Sequence, residues 1–499
     1  MAEGIYCVNN GMVGISEIPC MPPKEFQTRI IEECTLGKRV SSLFGSHSEP
    51  SSDKIIHCVL SNDQEGRLEI LSTKLKADGT LESMTKSLPQ VHLFERELFE
   101  EDGIRISGHP FLNPLRFVTN SSEKNYSQIG KMPFYRVEGS DIHEVAVGPV
   151  HAGIIEPGHF RFQCFGEKVF NLEISLGYQH RGIERKLRGG PEKRSFHYIE
   201  TVSGDSTIAH ASAYCQIIEN LSQMQIPVRA MAIRGIALEL ERIACHVGDL
   251  GALANDVGFL PTAAYCGRIR GDFLNMTAAI CGNRFGRGLL CPGGVNHDIP
   301  GDLAKELMYK ISIVFDELVS AVDLLWNIGS VVVRFEDIGT VKVEDAKKLG
   351  LVGVAARACG LVMDVRQDHP TEIFCYNHIP ISIWQSGDVF ARAYVRWLEI
   401  KRSVKFIKQQ LEILPGGSIS KTPGTMKPDS MCVALSEGWR GEVCHTAITG
   451  PDGRFKRYKI VDPSFHNWTG LSIAVRDQQI SDFPLCNKSF NLSYCGHDL

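Results

Sequence analysis

The period of the apolar residues changes part-way along this chain, and that change limits its folds more than any other feature. Residues 55–61 and 67–75 carry short β-branched runs of strand length, and residues 92–101 carry a helical repeat. From residue 206 onward the apolar residues fall at helical spacing over 206–223, 228–253, 261–280, 303–329 and 388–414. Segments of that length and period bury their apolar faces most economically against one another, as a helical bundle core. Residues 160–176, before the helices, and 442–461, after them, read as β pieces. The second contains a Gly450-Pro451-Asp452-Gly453 turn. Polar, Gly/Pro/Ser-rich stretches at 45–54, 120–131 and 414–430 read as loops. The expected fold class is α+β. A small α+β domain (residues 1–119) and a linker (120–145) precede a large, mainly helical domain with short β elements (146–499).

With 499 residues the chain can bury a large core. A net charge of -5 without a long basic run argues against nucleic acid as a partner. The first residues lack a basic stretch followed by an apolar one, so no secretory signal is read there. The most apolar long segment, 311–333, is interrupted by Asp316, Glu317 and Asp323 and repeats at helical spacing. It is expected to be a packed core helix, with membrane association coming through partners. The 16 cysteines are scattered, with no CxxC, so zinc ribbons, ferredoxin-type clusters and thioredoxin-like sites are not supported; reduced, buried thiols are expected. Neither GxGxxG at a strand-to-helix turn nor GxxxxGK[ST] occurs, so a nicotinamide cofactor would sit on another subunit.

Several motifs carry a resemblance. Glu95-Arg96-Glu97 through Asp102-Gly103-Ile104 to Gly108-His109-Pro110 resembles a signature of the small accessory subunit of complex I, where it acts as a docking element. Gly148-Pro149-Val150-His151 through Pro157-Gly158-His159, then Arg181-Gly182-Ile183-Glu184, resembles the start of the large subunit of energy-converting [NiFe] hydrogenases and, more distantly, the quinone-site subunit of complex I. Leu238-Glu239-Leu240-Glu241-Arg242-Ile243, Arg440-Gly441-Glu442 and Asp462-Pro463-Ser464-Phe465 extend the resemblance over roughly residues 90–499.

The resemblance implies a core peripheral-arm subunit of a membrane-bound, ion-translocating oxidoreductase complex on the cytoplasmic side of the membrane. Its implied partners are a small iron–sulfur subunit carrying a [4Fe-4S] cluster and integral membrane subunits of complex I-like and antiporter-like type. Four thiolates hold nickel in that family, because soft sulfur suits the metal. Here those positions align with Ser203, Ser206, Ser493 and Gly496. A NiFe centre is therefore not expected, and a quinone becomes the alternative acceptor. The tyrosine that would accompany a quinone aligns with Val202, with Tyr198 nearby. A redox-inert coupling subunit is the other reading.

Among candidate site residues, Glu184 matches a proton-passing glutamate, a role suited to a carboxylate with a burial-raised pKa. His151 and His159 flank a Gly/Pro loop and would line a cavity, histidine being the side chain that titrates near neutrality. The hairpin between them and Glu184 is expected to bring the two together. Arg440 matches an arginine over the metal cavity; pairing with Glu437 or Glu442 is the structural alternative. His210 reads as a core histidine or a site residue. Ser203 and Ser206 read as helix caps, and Asp205 as suited to the helix dipole.

Overall fold

The computed structural model describes residues 3–47, 53–118, 132–151, 153 and 155–499. The expected boundary at 120–131 lies outside them, as does the tip of the 45–54 loop. Gly45 to His47 do not belong to that loop. They complete the strand Arg39–His47, whose partner Lys54–Asn62 begins directly beyond the tip.

The strand-rich front is built on a sheet in the order Ile5–Cys7, Arg67–Leu75, Lys54–Asn62, Arg39–His47, with Cys20–Met21 added in parallel to Arg67–Leu75. The helices Pro23–Thr35 and His92–Glu100 accompany it. The second matches the sequence expectation, and the first had no clear periodic signal. Ile142–Val147, inside the expected linker, is the edge strand of a three-stranded sheet with His159–Phe165 and Lys168–Ser175.

The five long helices are Thr207–Leu221, Val228–Asp256, Leu260–Cys281, Gly301–Asn327 and Val389–Glu412. The bundle is packed around Val228–Asp256, which is buried on most of its circumference. Leu307, Ile311, Val314, Leu318, Val322 and Leu325 turn one face of Gly301–Asn327 into the core, as the spacing predicts. Past Asn327 the chain bends by 79° into Gly329–Phe335. No single helix among the described residues is long and apolar enough to cross a membrane. The architecture is α+β.

Front and back are joined by a sheet. Met12–Gly14 pairs with Ser430–Glu437, which continues through Glu442–Thr449 to Phe455–Val461. Val13, Phe44, Val59 and Leu98 from the front share one apolar core with Met431, Val433, Cys444 and Phe465 from the C-terminal part. The C-terminal sheet thus presents one face to the front strands and the other to Thr207–Leu221, whose Ala209, Ala213 and Ile217 join Cys432, Ala434 and Val443 in the helical core.

Candidate functional site

Ser203 and Ser206 lie on the turn that enters Thr207–Leu221; Ser493 and Gly496 lie where the last helix, Tyr494–Asp498, begins. Tertiary folding brings the two motifs together. Ser203 Oγ donates to Ser493 Oγ at 2.9 Å, and the Gly496 amide donates to the same Ser493 oxygen at 2.9 Å. Ser493 thereby caps its helix, the commonest role of a serine there. Ser206 stands at the cap position of Thr207–Leu221 without making the capping bond. The orphan amides of Ile208 and Ala209 donate instead to Glu241, at 2.7 and 3.2 Å. Burial nevertheless pushes the Glu241 carboxyl up to about 8.

Arg440 does not pair with Glu437 or Glu442. Glu442 is taken by Arg39 and Glu437 by Arg357. The Arg440 guanidinium, almost wholly buried, forks onto Asp205 at 2.6 and 2.8 Å and reaches Ser203 Oγ at 3.4 Å and Ser206 Oγ at 3.5 Å. It stacks 3.9 Å from the centre of the Trp439 ring, whose Nε1 donates to the Asp205 carbonyl at 2.9 Å. Asp205 is therefore an ion-pair partner and not a free charge at a helix end. The Asp462 carboxylate closes the remaining side. A Cβ at Gly496 would meet its atoms at 2.6 to 3.0 Å. Asp462 is held ionised by His210, which bonds it at 3.0 Å and, through its other nitrogen, His445 at 3.0 Å; His445 in turn bonds the Tyr458 hydroxyl at 2.9 Å. His210 is a fully buried member of that chain of bonds.

These donors do not fit a nickel–iron centre. Three hydroxyls and a glycine stand at the four positions, two of the hydroxyls are bonded to each other, and a guanidinium cation points at the same spot. Cys495 is turned toward Ser493 Oγ at 3.4 Å, and burial pushes its thiol up to about 11, so it offers no thiolate at neutral pH.

Glu184 is elsewhere. It is buried at the edge of the C-terminal sheet, bonded to Arg457 at 2.6 Å, Lys459 at 3.1 Å and the Ile460 amide at 2.9 Å. Burial alone would raise its pKa, as expected from sequence. Lys459, Arg457 and Arg116 outweigh that and hold it well below the usual glutamate range. The docking motif reaches this cluster too, since Glu97 pairs with both Lys459 and Arg116. No hydrogen bond or ion pair joins Glu184 to His151 or His159 among the described residues, so the hairpin does not unite them.

His151 Nε2 donates to the Gly158 carbonyl, 2.8 Å away, inside a tight loop. Gly148, at φ +84°, makes the loop feasible, because a Cβ there would strike Gly158 O and the His151 ring. His151 lines a cavity of about 480 Å3 with Val147, Ile155, Phe160, Phe162 and Phe483. His159 points to the Gly148 carbonyl at 3.3 Å and is not among the cavity's lining. Val202 is buried in the helical core, and Tyr198 lies under Lys186; the tyrosine that does line the His151 cavity is Tyr494, inside the second ligand-type motif. That placement was the one signal that could have found it. Lys488 and Asn491 also line the cavity, and both continue into a groove of about 760 Å3 beside Asp205 and Trp439. Gly248, Gly251, Ala252, Ala263, Ala264 and Gly267 form much of the groove's floor.

Residues 256–429 match the family described as respiratory-chain NADH dehydrogenase, 49 Kd subunit. The carbon monoxide-induced hydrogenase of Rhodospirillum rubrum is 30% identical over 350 residues, 70% of this chain and 97% of that protein. The chain belongs to this hydrogenase and NADH-quinone oxidoreductase family. A chain of the NADH-quinone oxidoreductase of Solibacter usitatus is 28% identical, over 67% of this chain and 91% of that one. Formate hydrogenlyase subunit 5 of Escherichia coli is 31% identical over 70% of this chain, which spans only 62% of that longer relative. A chain from the structure of a membrane-bound sulfane sulfur reductase, an archaeal respiratory membrane complex, superposes with a TM-score of 0.68 at 22% identity, over 73% of this chain and 100% of that one; the likeness is one of fold.

Proposed function

We propose that this chain is a core peripheral-arm subunit of a membrane-bound, ion-translocating oxidoreductase complex that works without a nickel–iron centre. The observation that carries this reading is the Arg440–Asp205 ion pair set against Ser203 and Ser206, at the position where hydrogenase relatives need thiolates. The acceptor is taken at the cavity beside His151, whose aromatic and aliphatic walls, with His151 and Tyr494 among its polar groups, suit a quinone head group. Electrons come from a [4Fe-4S] cluster on a small iron–sulfur subunit, seated against the groove of small residues, where a partner's backbone can approach closely. Integral membrane subunits anchor the assembly on the cytoplasmic face. The front residues act as a complex I-type accessory domain fused to the chain. Glu184 serves as a fixed charge in their seam.

The same ion pair favours a second reading, a redox-inert subunit that only couples its neighbours. Purification of the native complex from mild detergent, with subunit identification and metal analysis, tests the assembly. Iron–sulfur and membrane subunits should co-purify, without stoichiometric nickel. About one nickel per chain together with hydrogen uptake would overturn the reading. Filling the cavity with Phe160→Trp should abolish short-chain quinone reduction while leaving the complex assembled. Unchanged quinone reduction in that variant excludes the cavity. Ion translocation without any quinone turnover in the unmodified complex selects the second reading.

A further inference from the structure

Arg457 is a buried guanidinium whose donors are not all spent. Its Nη1 bonds Glu184 at 2.6 Å and the Tyr458 carbonyl at 2.9 Å, and its Nε bonds the Gly45 carbonyl at 3.0 Å. Nη2 has no hydrogen-bond acceptor among the described residues; Asp102 Oδ1 is 3.9 Å away. An N–H without a protein acceptor keeps its capacity to donate to a ligand.

The same side chain lines two cavities, of about 380 and 120 Å3, and Arg188 lines both with it. Lys456 joins them at the larger one. Neither the Arg188 guanidinium nor the Lys456 ammonium has a hydrogen bond or ion pair among the described residues. Burial and the neighbouring charge of Arg457 lower the pKa of Arg188, against the opposing charges of Asp102, Glu184 and Glu101.

Two carboxylates line the larger cavity as well. Asp429 is exposed on the loop before Ser430–Glu437. Asp102 has one oxygen committed to the Gly45 amide at 2.9 Å, and burial, with the charges of Glu97 and Glu184, raises its pKa against the pull of Arg457. His57, buried on the opposite wall, shares a bond with Ser46 Oγ at 2.9 Å and stays neutral, its pKa lowered to about 4 by burial and Arg457.

We propose that this seam cavity binds an oxyanion of the phosphate class, held by Arg188, Lys456 and the free Nη2 of Arg457. Guanidinium N–H groups match phosphate oxygens in pairs, and a lysine adds a mobile point charge. The volume falls within the usual size of small-ligand pockets, on the order of 300 Å3 upward. Gly45, Ser46, Ile55 and His57 come from the front strands, and Thr449, Lys456 and Arg457 from the C-terminal sheet, so the bound anion bridges the two halves of the molecule. A free phosphate compound and an anionic lipid head group present the same chemistry. The inference does not depend on the redox role proposed above.

Calorimetric titration of the phosphate-free native complex with inorganic phosphate and with pyrophosphate tests it. Saturable binding is expected, weakened at least tenfold, or about 1.4 kcal/mol, by the double substitution Arg188→Gln and Lys456→Gln. Both side chains are exposed enough for the fold to tolerate the change. Arg454→Gln, at a nearby exposed cation, should leave the affinity unchanged. Flotation with phosphatidylglycerol and with phosphatidylcholine vesicles separates the sources. A phosphatidylglycerol preference lost in the double variant assigns a lipid head group, and phosphate binding without that preference assigns a soluble ligand. Equal affinity in the double variant, or neither saturable phosphate binding nor vesicle preference in the unmodified complex, overturns the proposal.

Discussion

The serine-lined position and the Glu184 position are the two places where the resemblance implies chemistry, and their surroundings differ in opposite ways. At the first, three serines and a glycine stand at the positions the resemblance implies for ligands, and an arginine stands against a single carboxylate, Asp205, whose side chain is about a third exposed (35%). At the second, the family glutamate is kept, but two cations and a backbone amide grip it and only 5% of its side chain is exposed. Retaining a motif residue therefore says little about its chemistry until its neighbours are known. A carboxylate can carry protons only if burial wins over its counter-charges, and at Glu184 the counter-charges win.

The largest test of this contrast is Glu184→Gln. Removing one member of a buried ion cluster leaves Arg457 and Lys459 under-compensated, at a cost of about 3 kcal/mol or more. A depressed folded pKa contributes stability at neutral pH that is lost as the pH falls through and below the ordinary glutamate range. The gap between variant and parent in chemical denaturation should thus be widest near pH 7 and narrow steadily once the pH falls below the ordinary glutamate value of about 4.3. A variant that assembles with full stability but loses ion translocation would restore the proton-relay role.

Next in size is an asymmetry at the serine-lined position. Asp205→Asn strands a buried guanidinium and should cost about 2–3 kcal/mol, whereas Arg440→Gln leaves a carboxylate that water already reaches, and its electrostatic part should cost about 1 kcal/mol. Equal losses, or a larger one for Arg440→Gln, would mean that the stacking of Arg440 on Trp439 outweighs the pairing.

Gly496→Cys, the first step toward restoring the ligand set, pushes a Cβ into the Asp462 carboxylate and should destabilise by about 1–3 kcal/mol. A lower melting temperature with no gain in nickel content is expected even when Ser203, Ser206 and Ser493 are also replaced by cysteine. Nickel uptake by the fourfold variant would show that the ligand residues alone had been lost.

The smallest effect is at Glu241. An acid whose pKa is raised to about 8 on folding lowers stability as the pH rises from the ordinary glutamate range toward 8, because the folded state holds the proton longer. Glu241→Gln should flatten that decline by about 1 kcal/mol between about pH 6 and 7, seen as converging melting curves at the acid end. Parallel curves would show that Glu241 is ionised when it caps Thr207–Leu221.

The long helices and the two β pieces around them were legible in the sequence because periodicity reports which face of a segment is buried. The ends of Val228–Asp256, Leu260–Cys281 and Val389–Glu412 were found to within a few residues on that ground alone. The family was legible too, since it is a matter of residue types at fixed positions. The sequence could not show that Met12–Gly14 is a strand of the C-terminal sheet. Pairing across more than 400 residues leaves no local trace, and three residues carry no period. Nor could it show which carboxylate meets which cation. Arg440 turned to Asp205, Glu184 to Arg457 and Lys459, and Glu241 to a helix end, because a buried charge takes the counter-charge or amide that packing places beside it, at whatever distance along the chain. The side chains that seat a ligand are spelled out in the sequence. Their protonation states, their cavities and their mutual distances follow from burial and from pairs that only the tertiary structure assembles.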